Sequence, residues 1–244
     1  MKQPNYSAPR GPVTILPVLG IGEIKEGDDV AASIAAALTK LGIQLTDDDV
    51  VVVTQKIISK AEGRVVAVPV GDDDARHRIA EQEAKQVLRR RDGLIITETH
   101  HGFVCANAGV DASNIDEGYV VLLPKDPDLS ARRICKRLAN ITGASPAVII
   151  SDTFGRAWRN GQTNVAIGVA GMLPLLDYMG THDHFGRELK VTSIAVADEL
   201  AGAAELVMGK ADGVPVAVIR GAYITKGSGD AKALIRQPAT DMFR

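Results

Sequence analysis

Short apolar runs alternate along this chain with longer segments in which apolar residues recur at helical spacing. The run 50–54 is four valines and a threonine, which predicts a strand buried on both faces. By contrast, 29–41 repeats alanine, isoleucine and leucine at helical spacing. Strands are predicted at 13–18, 50–54, 64–68, 94–97, 103–107, 119–123, 147–151, 165–170, 191–196 and 214–219. Helices are predicted at 29–41, 74–91, 128–140 and 198–208.

The order of these elements predicts an α+β fold with mixed and antiparallel sheets and flanking helices. The three strand candidates between residues 94 and 123 follow one another too closely for intervening helices, so we expect part of the pairing to be antiparallel. The polar segment 1–12 contains three prolines and predicts a loose tail, while 13–244 is expected to form the domain. The pattern leaves open whether that domain is divided into two lobes.

Composition narrows the class of protein. Hydrophobic residues make up 45% of the chain, but aromatics are only 4%, which leaves the core to aliphatic side chains. The formal net charge of -2 argues against a nucleic-acid-binding protein, which would carry a basic excess. No apolar run resembles a signal peptide or a membrane span, and Cys105 and Cys135 fit neither a disulfide framework nor a metal site. We therefore expect a cytoplasmic protein with reduced thiols.

Several common catalytic motifs are absent from the sequence. There is no Walker-type phosphate loop, and 20–22 lacks the third glycine of a dinucleotide fingerprint. There is neither a nucleophile elbow nor a helical zinc motif. The histidines at 100–101 and 182–184 lack the spacing of a zinc pair and are expected at the surface or in turns. Any nucleotide site in this chain must therefore be of another kind.

The strongest chemical signal is the segment 151–161, SDTFGRAWRNG, which follows a predicted buried strand and is expected to be a glycine-bounded loop. Asp152 and Thr153 offer hard oxygen ligands at the end of that strand, which suits Mg²⁺ or Mn²⁺. Arg156 and Arg159 could each hold a phosphate or a carboxylate through two hydrogen bonds. The alternative is that Asp152 caps a turn and the arginines are solvated.

Three further segments could contact a ligand. Segment 107–114, NAGVDASN, combines small residues with one acid and two amide side chains, which is typical both of ligand-binding loops and of Asx turns. In segment 54–64, Lys60 could neutralise a phosphate while the threonine and glutamine hydrogen-bond a base or ribose; alternatively, the segment is a polar connection. Segment 208–215 is a glycine-bounded loop, which alone indicates only the end of a helix.

Six blocks of sequence together resemble the coenzyme F420:L-glutamate ligase family, the gamma-glutamyl ligases. In chain order they are ILPVLGIGEIKEGDD, VVVTQKIISKAEGR, NAGVDASN, SDTFGRAWRNGQ, FGRELKVTSIAVADELA and GVPVAVIRG. The likeness covers nearly the whole chain, and the ligase half of the two-domain actinobacterial enzyme is especially similar. The resemblance implies a homodimer that uses GTP, two divalent cations (Mg²⁺ or Mn²⁺) and a monovalent cation, K⁺.

The resemblance also implies roles for individual residues. The metal ligands would be Asp111, Asp152 and Thr153. Independently of the resemblance, the chemistry of phosphoryl transfer leads us to expect that Lys60, Arg156 and Arg159 supply positive charge. GTP would contact Ile21, Gly22, Glu23, Ile24, Thr54, Gln55, Lys60, Asn114, Met208, Gly209, Lys210, Ala211, Asp212, Gly213 and Val214. Near Lys210 the sequence departs from relatives that carry an acidic residue and one extra residue, so a role of this loop in metal binding stays open.

The implied reaction is the addition of L-glutamate to the lactyl carboxylate of the unglutamylated coenzyme, followed by γ-linked glutamates. A carboxylate is a poor acyl donor, so it would first be activated by GTP as an acyl phosphate, with release of GDP and phosphate. Two alternatives remain at this point. One is a related metal-dependent ligase that joins an amino acid to another acidic acceptor, and the other is a catalytically silent nucleotide-binding module.

Overall fold

The computed structural model describes residues 11–242, so most of the tail predicted at 1–12 lies outside the described residues. The strands are β1 Thr14–Pro17, β2 Val50–Thr54, β3 Val65–Ala67, β4 Ala84–Arg91, β5 Leu94–Thr99, β6 Val104–Ala106, β7 Tyr119–Val121, β8 Ala147–Arg156, β9 Arg159–Ala170, β10 Leu176–Asp177, β11 Ser193–Ile194 and β12 Val216–Arg220. The helices are α1 Val30–Lys40, α2 Gln55–Ala61, α3 Asp73–Gln82, α4 Pro127–Thr142 and α5 Val196–Met208. This arrangement confirms the predicted α+β class.

A five-stranded sheet with the order β1-β12-β2-β8-β9 carries most of the core. Strands β2 and β8 are parallel, whereas the other neighbouring pairs in this sheet are antiparallel. The parallel pair is possible because a long crossover separates β2 from β8 along the chain, while β8 and β9 are joined directly by a hairpin. The sheet is therefore mixed, as predicted.

The valines of β2 point alternately to the two faces of this sheet, and both faces are covered. Val51 and Val53 belong to a hydrophobic cluster with α1, α2 and α4. Val50 and Val52 belong to a second cluster with α5 on the opposite face. Because all four side chains are fully buried, the uninterrupted apolar run marks a central strand.

Two small antiparallel sheets lie in the crossover between β2 and β8. One pairs β3 with β7, and the other has the order β4-β5-β6. Asp92 and Gly93 connect β4 to β5 in a two-residue turn with φ angles of 48° and 77°. Positive φ at both central positions is the geometry of a type I′ hairpin, which the Asp-Gly dipeptide favours.

The end of the predicted helix 74–91 is wrong. Helix α3 ends at Gln82, and Ala84–Arg91 forms strand β4. The segment has few apolar residues to fix a helical stripe, and its backbone hydrogen-bonds to β5 across the tight turn instead. Tertiary pairing thus overrides the weak helical pattern.

Two other predicted elements also differ from the structure. The loop expected over 151–161 is a hairpin, because β8 continues to Arg156 and β9 begins at Arg159. The strand expected at 191–196 is reduced to Ser193–Ile194, since α5 begins two residues later. The polar strand ends of the hairpin pair through their backbones, so they need no apolar alternation to form.

The ends of two helices show the usual capping chemistry. The Asp126 side chain accepts a backbone hydrogen bond from the first turn of α4, Pro127 occupies its first position, and Gly143 ends it with a φ of 78°. Asp29 caps α1 in the same way.

Cys105 and Cys135 carry free thiols, as predicted. Over residues 11–242, no helix has the length and apolar character to cross a bilayer. The homodimer stays a prediction, and the division into two lobes stays open.

Candidate functional site

Several connecting segments meet at one edge of the central sheet. Strand β2 ends there at Thr54, opposite Ser151 of the parallel strand β8, which continues beyond β2 to Arg156. Strand β12 runs antiparallel to β2, so the segment after α5 enters the sheet at Val216 on the same edge. Strand β1 runs antiparallel to β12, so the chain leaves β1 at this edge as well. Loops that converge at the carboxyl ends of adjacent parallel strands are a common position for ligand sites.

These segments enclose a cleft of about 940 Å³, within the range of about 300–1,000 Å³ that is usual for small-molecule sites. Most of the residues predicted to contact GTP or metal line this cleft. They are Ile21, Gly22, Glu23, Ile24, Thr54, Gln55, Lys60, Asn114, Asp152, Thr153, Gly209, Lys210, Ala211, Gly213 and Val214. The fold therefore brings together segments that lie far apart in the sequence.

Three other predicted residues lie close to the cleft without lining it. Met208 is fully buried against the sheet, and Asp212 is exposed on the loop before β12. Asp111 is connected to the cleft through Lys56, whose ammonium lies 2.9 Å from the Asp111 carboxylate and which itself lines the cleft. Met208 consequently supports the loop from the core, and its contact with GTP stays a prediction.

The two predicted catalytic arginines are not brought to the cleft. Arg156 and Arg159 lie at the exposed tip of the β8–β9 hairpin, where Arg156 donates hydrogen bonds to the carbonyls of Asn160 and Gly161. Trp158, at the same tip, lines a separate cavity of about 600 Å³. The contacts of Arg156 thus close the hairpin, and a catalytic role for either arginine stays a prediction.

Asp111 is close enough to Asp152 to influence the ionisation of that carboxyl group. Burial, together with the neighbouring charge of Asp111, raises the pKa of Asp152 to about 7. Burial also opposes ionisation of Asp111, but hydrogen bonds from Lys56 and Ser113 outweigh it and hold the pKa of Asp111 below its usual value. A bound cation would offset the repulsion between the two carboxylates.

The segment 107–114 contains the Asx turn that the sequence left as one interpretation. The backbone N–H of Ser113 donates to the Asp111 carboxylate at 2.7 Å. Asn114 adopts a left-handed conformation with a φ of 56°, and it lines the cleft. The structural interpretation and the ligand-binding interpretation of this loop are therefore compatible.

Lys60 and Asn114 connect four separate segments that line the cleft. The ammonium of Lys60 lies 2.5 Å from a carboxylate oxygen of Glu23 and donates to the backbone carbonyl of Asn114 at 3.1 Å. The side-chain amide of Asn114 donates in turn to the carbonyl of Lys210 at 3.2 Å. The Lys60 side chain is only 13% exposed, so its positive charge lies in a partly dehydrated position where it acts more strongly on an anion.

Two buried polar atoms beside the cleft lack partners within the described part of the chain. They are the Nε2 of Gln55 and the Oγ of Ser151, and both residues line the cleft. The other end of the Gln55 amide is fixed, because its oxygen accepts a hydrogen bond from Ser59 at 2.8 Å. An unpaired buried polar group is costly, which points to a polar ligand that completes these bonds.

The donor groups fit a divalent cation of the Mg²⁺ or Mn²⁺ type. Residues 11–242 hold no cluster of three or more His, Cys, Asp or Glu side chains that could bind a metal by themselves. Two carboxylates and one hydroxyl, from Asp111, Asp152 and Thr153, are hard oxygen donors of the kind such cations prefer, usually together with substrate phosphates and water. The site therefore supplies part of the ligand shell of a cation, and water or a substrate phosphate would complete it.

Thr153 is the first member of a hydrogen-bonded chain that the sequence did not reveal. Its hydroxyl lies 2.6 Å from the Oδ1 of Asn164, and the Nδ2 of Asn164 lies 2.8 Å from a carboxylate oxygen of Glu205. Lys210 also donates to the Thr153 hydroxyl. Asn164 and Glu205 carry no motif signal, because their positions follow only from the pairing of β9 with β8 and the packing of α5 on that sheet.

Comparisons with known proteins identify the chain. The sequence model of the F420-0:Gamma-glutamyl ligase family matches residues 19–221. The coenzyme F420:L-glutamate ligase of Methanothermobacter thermautotrophicus is 42% identical over 250 residues, covering 95% of this chain and 99% of the relative. The enzyme of that name from Methanocaldococcus jannaschii is 46% identical over 215 residues, covering 82% and 86%. Since the family match spans most of the chain and the relatives are matched over most of their length, the chain belongs to the F420-0:gamma-glutamyl ligase family.

Proposed function

We propose that this protein is a GTP-dependent ligase that joins L-glutamate to the terminal carboxylate of a coenzyme F420 precursor. The observation that carries the proposal is the single cleft in which Asp152 and Thr153 lie together with Lys60 and Asn114. Membership of the family, whose curated relatives are named coenzyme F420:L-glutamate ligases, supplies the substrates. The geometry supplies a site suited to a cation and a polyphosphate.

In this proposal the nucleotide occupies the cleft with its phosphates toward the lysines. Lys60 and Lys210 line the cleft from two different segments, and each can neutralise phosphate oxygens. The unpaired Nε2 of Gln55 is a donor for an acceptor atom of the nucleotide. Asn114 donates to the Lys210 carbonyl, so it helps to hold the loop 208–215 in position.

Asp111, Asp152 and Thr153 are the residues that would hold a divalent cation. Such a cation supplies charge neutralisation on the phosphate oxygens. The chain contributes two negative charges and an oriented hydroxyl, while the ammonium of Lys56, which lines the cleft, lies 2.9 Å from the Asp111 carboxylate. A second divalent cation and K⁺ are part of the proposal from the family resemblance alone.

The proposed chemistry has two balanced steps. First, an oxygen of the acceptor carboxylate attacks the γ-phosphorus of GTP, the bond to the bridging oxygen breaks, and GDP leaves with that electron pair. Next, the neutral amine of glutamate attacks the carbonyl carbon of the acyl phosphate. The carbon–oxygen bond breaks, phosphate leaves, and the amine loses a proton to water. Neither step needs a protein nucleophile.

The proposal also includes a homodimer and a catalytic role for the two arginines of the β8–β9 hairpin. A homodimer would be consistent with the family, and light scattering at micromolar concentration tests it directly. Arg156 and Arg159 would take part in catalysis only if substrate or the second subunit reaches the hairpin tip, since both lie outside the cleft on this chain.

The experiment that tests the proposal measures phosphate release from GTP by the purified protein with Mn²⁺. We expect release only when both L-glutamate and the unglutamylated coenzyme are present, with ATP a poor substitute. Release that responds to glutamate and a different acidic acceptor would instead identify the related ligase. Tight GTP binding with no release under any combination would identify a catalytically silent module.

A further inference from the structure

The inference starts from a chain of hydrogen bonds that joins β8, β9 and α5. Thr153 and Asn164 lie directly opposite each other on the β8–β9 ladder. Their side chains therefore share a face and come within 2.6 Å, from the Thr153 hydroxyl to the Oδ1 of Asn164. The amide of Asn164 continues to Glu205 on α5, with 2.8 Å between Nδ2 and the carboxylate oxygen. Asn164 is only 4% exposed, although it lines the cleft together with Thr153 and Glu205.

The direction of these bonds is set by Glu205. An ionised carboxylate only accepts hydrogen bonds, so Asn164 must turn its NH₂ group toward Glu205. The side-chain oxygen of Asn164 then faces Thr153, and it can only accept a hydrogen bond. The Thr153 hydroxyl has a single proton and must donate it to Asn164. The lone pairs of the Thr153 oxygen are consequently left for a group on the side away from Asn164.

The contact of Lys210 with the Thr153 hydroxyl supports this assignment. The Lys210 ammonium has donors only, and it bonds to the same oxygen that donates to Asn164. Thr153 and Lys210 both line the cleft. The oxygen of Thr153 therefore acts as an acceptor toward a cationic group at this position.

We propose that Asn164 and Glu205 are positioning residues that orient the Thr153 hydroxyl as a ligand for a divalent cation. This inference rests on the proposed function, because it takes the cation to bind in the same cleft. Removal of a residue that hydrogen-bonds to a metal-coordinating side chain commonly weakens metal binding by about 10–100-fold. Without Glu205, the Asn164 amide can reverse, and the Thr153 proton can turn toward the cleft, where it opposes a cation.

The test is a titration of the full-length protein with Mn²⁺ alone, with free Mn²⁺ followed by electron paramagnetic resonance. We expect Glu205→Ala and Asn164→Ala each to weaken Mn²⁺ binding about tenfold. Glu199, exposed on the same helix, provides the matched control, and Glu199→Ala should bind Mn²⁺ as the wild type does. Metal-free melting temperatures identify any variant that fails to fold, in which case the other variant decides.

A double-mutant cycle with Thr153→Val separates positioning from general support of the fold. If Glu205 acts through Thr153, Glu205→Ala should cause no further loss of Mn²⁺ affinity once the hydroxyl is absent. Additive losses, or wild-type affinity in both single variants, would overturn the positioning role while Mn²⁺ still binds the wild type. Absence of saturable Mn²⁺ binding to the wild type would instead overturn the cation site of the proposed function, and this inference with it.

Discussion

The ammonium of Lys60 lies 2.5 Å from the carboxylate of Glu23, although the two residues belong to separate segments that both line the cleft. Lys60 also donates to the carbonyl of Asn114 on a third segment. An ammonium that is only 13% exposed and bound by partners on two sides is held in one position. The positive charge of Lys60 is thus held in position before a ligand binds, at the place where an anionic group of that ligand would enter.

Removal of the Lys60 charge should weaken the binding of GTP more than the binding of glutamate. We expect Lys60→Ala to raise the KM for GTP about ten- to a hundredfold, since a charge-assisted contact is worth about 1.5–3 kcal/mol. Steady-state kinetics with each substrate varied in turn provide the measurement. Lys40→Ala, at an exposed position near the end of α1, is the control. Unchanged kinetics in Lys60→Ala would leave Lys60 with only a structural role between Glu23 and Asn114.

Asp152 should be needed for turnover and dispensable for folding. Burial and the neighbouring charge of Asp111 disfavour an ionised carboxylate at this position. We therefore expect Asp152→Asn to keep or slightly raise the metal-free melting temperature at pH 8, yet to lose most of its turnover, with partial recovery at high Mn²⁺. Wild-type turnover at limiting Mn²⁺ would show that Asp152 is not a ligand. A large fall in melting temperature would instead make it a structural residue.

The ion pair of Asp49 with Arg220 should make the free energy of unfolding depend on pH in the acidic range. Asp49 is fully buried, and both carboxylate oxygens accept from the Arg220 guanidinium at 2.8 and 2.7 Å. Burial raises the pKa of Asp49, but hydrogen bonds from Arg220 and Thr46 outweigh it and hold the pKa below the ordinary value of 3.8. A depressed pKa in the folded state means that the stabilisation is present above about pH 4 and is lost as the pH falls through the folded-state pKa.

This relationship is measured by unfolding in urea between pH 7 and pH 3. We expect Asp49→Asn to lower the free energy of unfolding at pH 7 by about 1.5–3 kcal/mol, the usual contribution of hydrogen bonds to a charged group. Below pH 4 the difference from the wild type should shrink. Asp48→Asn, at the exposed neighbouring position, is the control. A difference that stays constant down to pH 3 would contradict the assignment of the effect to the ionised Asp49 carboxylate.

The close approach of β9 to α4 should make Gly168 hard to replace. A Cβ atom at Gly168 would lie 2.4 Å from the carbonyl oxygen of Pro127, a backbone atom that cannot rotate away. We expect Gly168→Ala to lower the free energy of unfolding by about 1–3 kcal/mol, as other overpacked substitutions do. At Gly155, on β8, a Cβ would meet no atom within 4 Å, so Gly155→Ala should be near neutral. Equal stability of the two variants in urea would refute the steric argument.

Much of the central sheet could be predicted because local pattern and tertiary environment agree there. The valine run of β2 has no polar face, so only a strand covered on both sides satisfies it. In β4 the local pattern and the tertiary environment disagree. The charged pattern predicts a helix, whereas backbone pairing with β5 forms a strand. The Asp92–Gly93 dipeptide was the available signal, because this pair favours the turn that joins β4 to β5.

The candidate site was predictable from sequence only where its residues lie in recognisable segments. Lys60 and Asp152 could be assigned because each follows a buried strand within a block that resembles the family. Asn164 and Glu205 reach the site through strand register and helix packing, which no local motif encodes. The arginines at 156 and 159 were expected in the site because a loop was predicted, whereas the hairpin carries them to its exposed tip.

The most direct test of the central claim is mass spectrometry of the coenzyme after incubation with the protein. The reaction contains GTP, Mn²⁺, L-glutamate and the unglutamylated coenzyme, with matched reactions that each omit one component. We predict a product heavier by one glutamyl residue, followed by species with further residues, and no product when GTP or glutamate is left out. An unmodified coenzyme in the complete reaction, or a glutamylated product formed without nucleotide, would contradict the account.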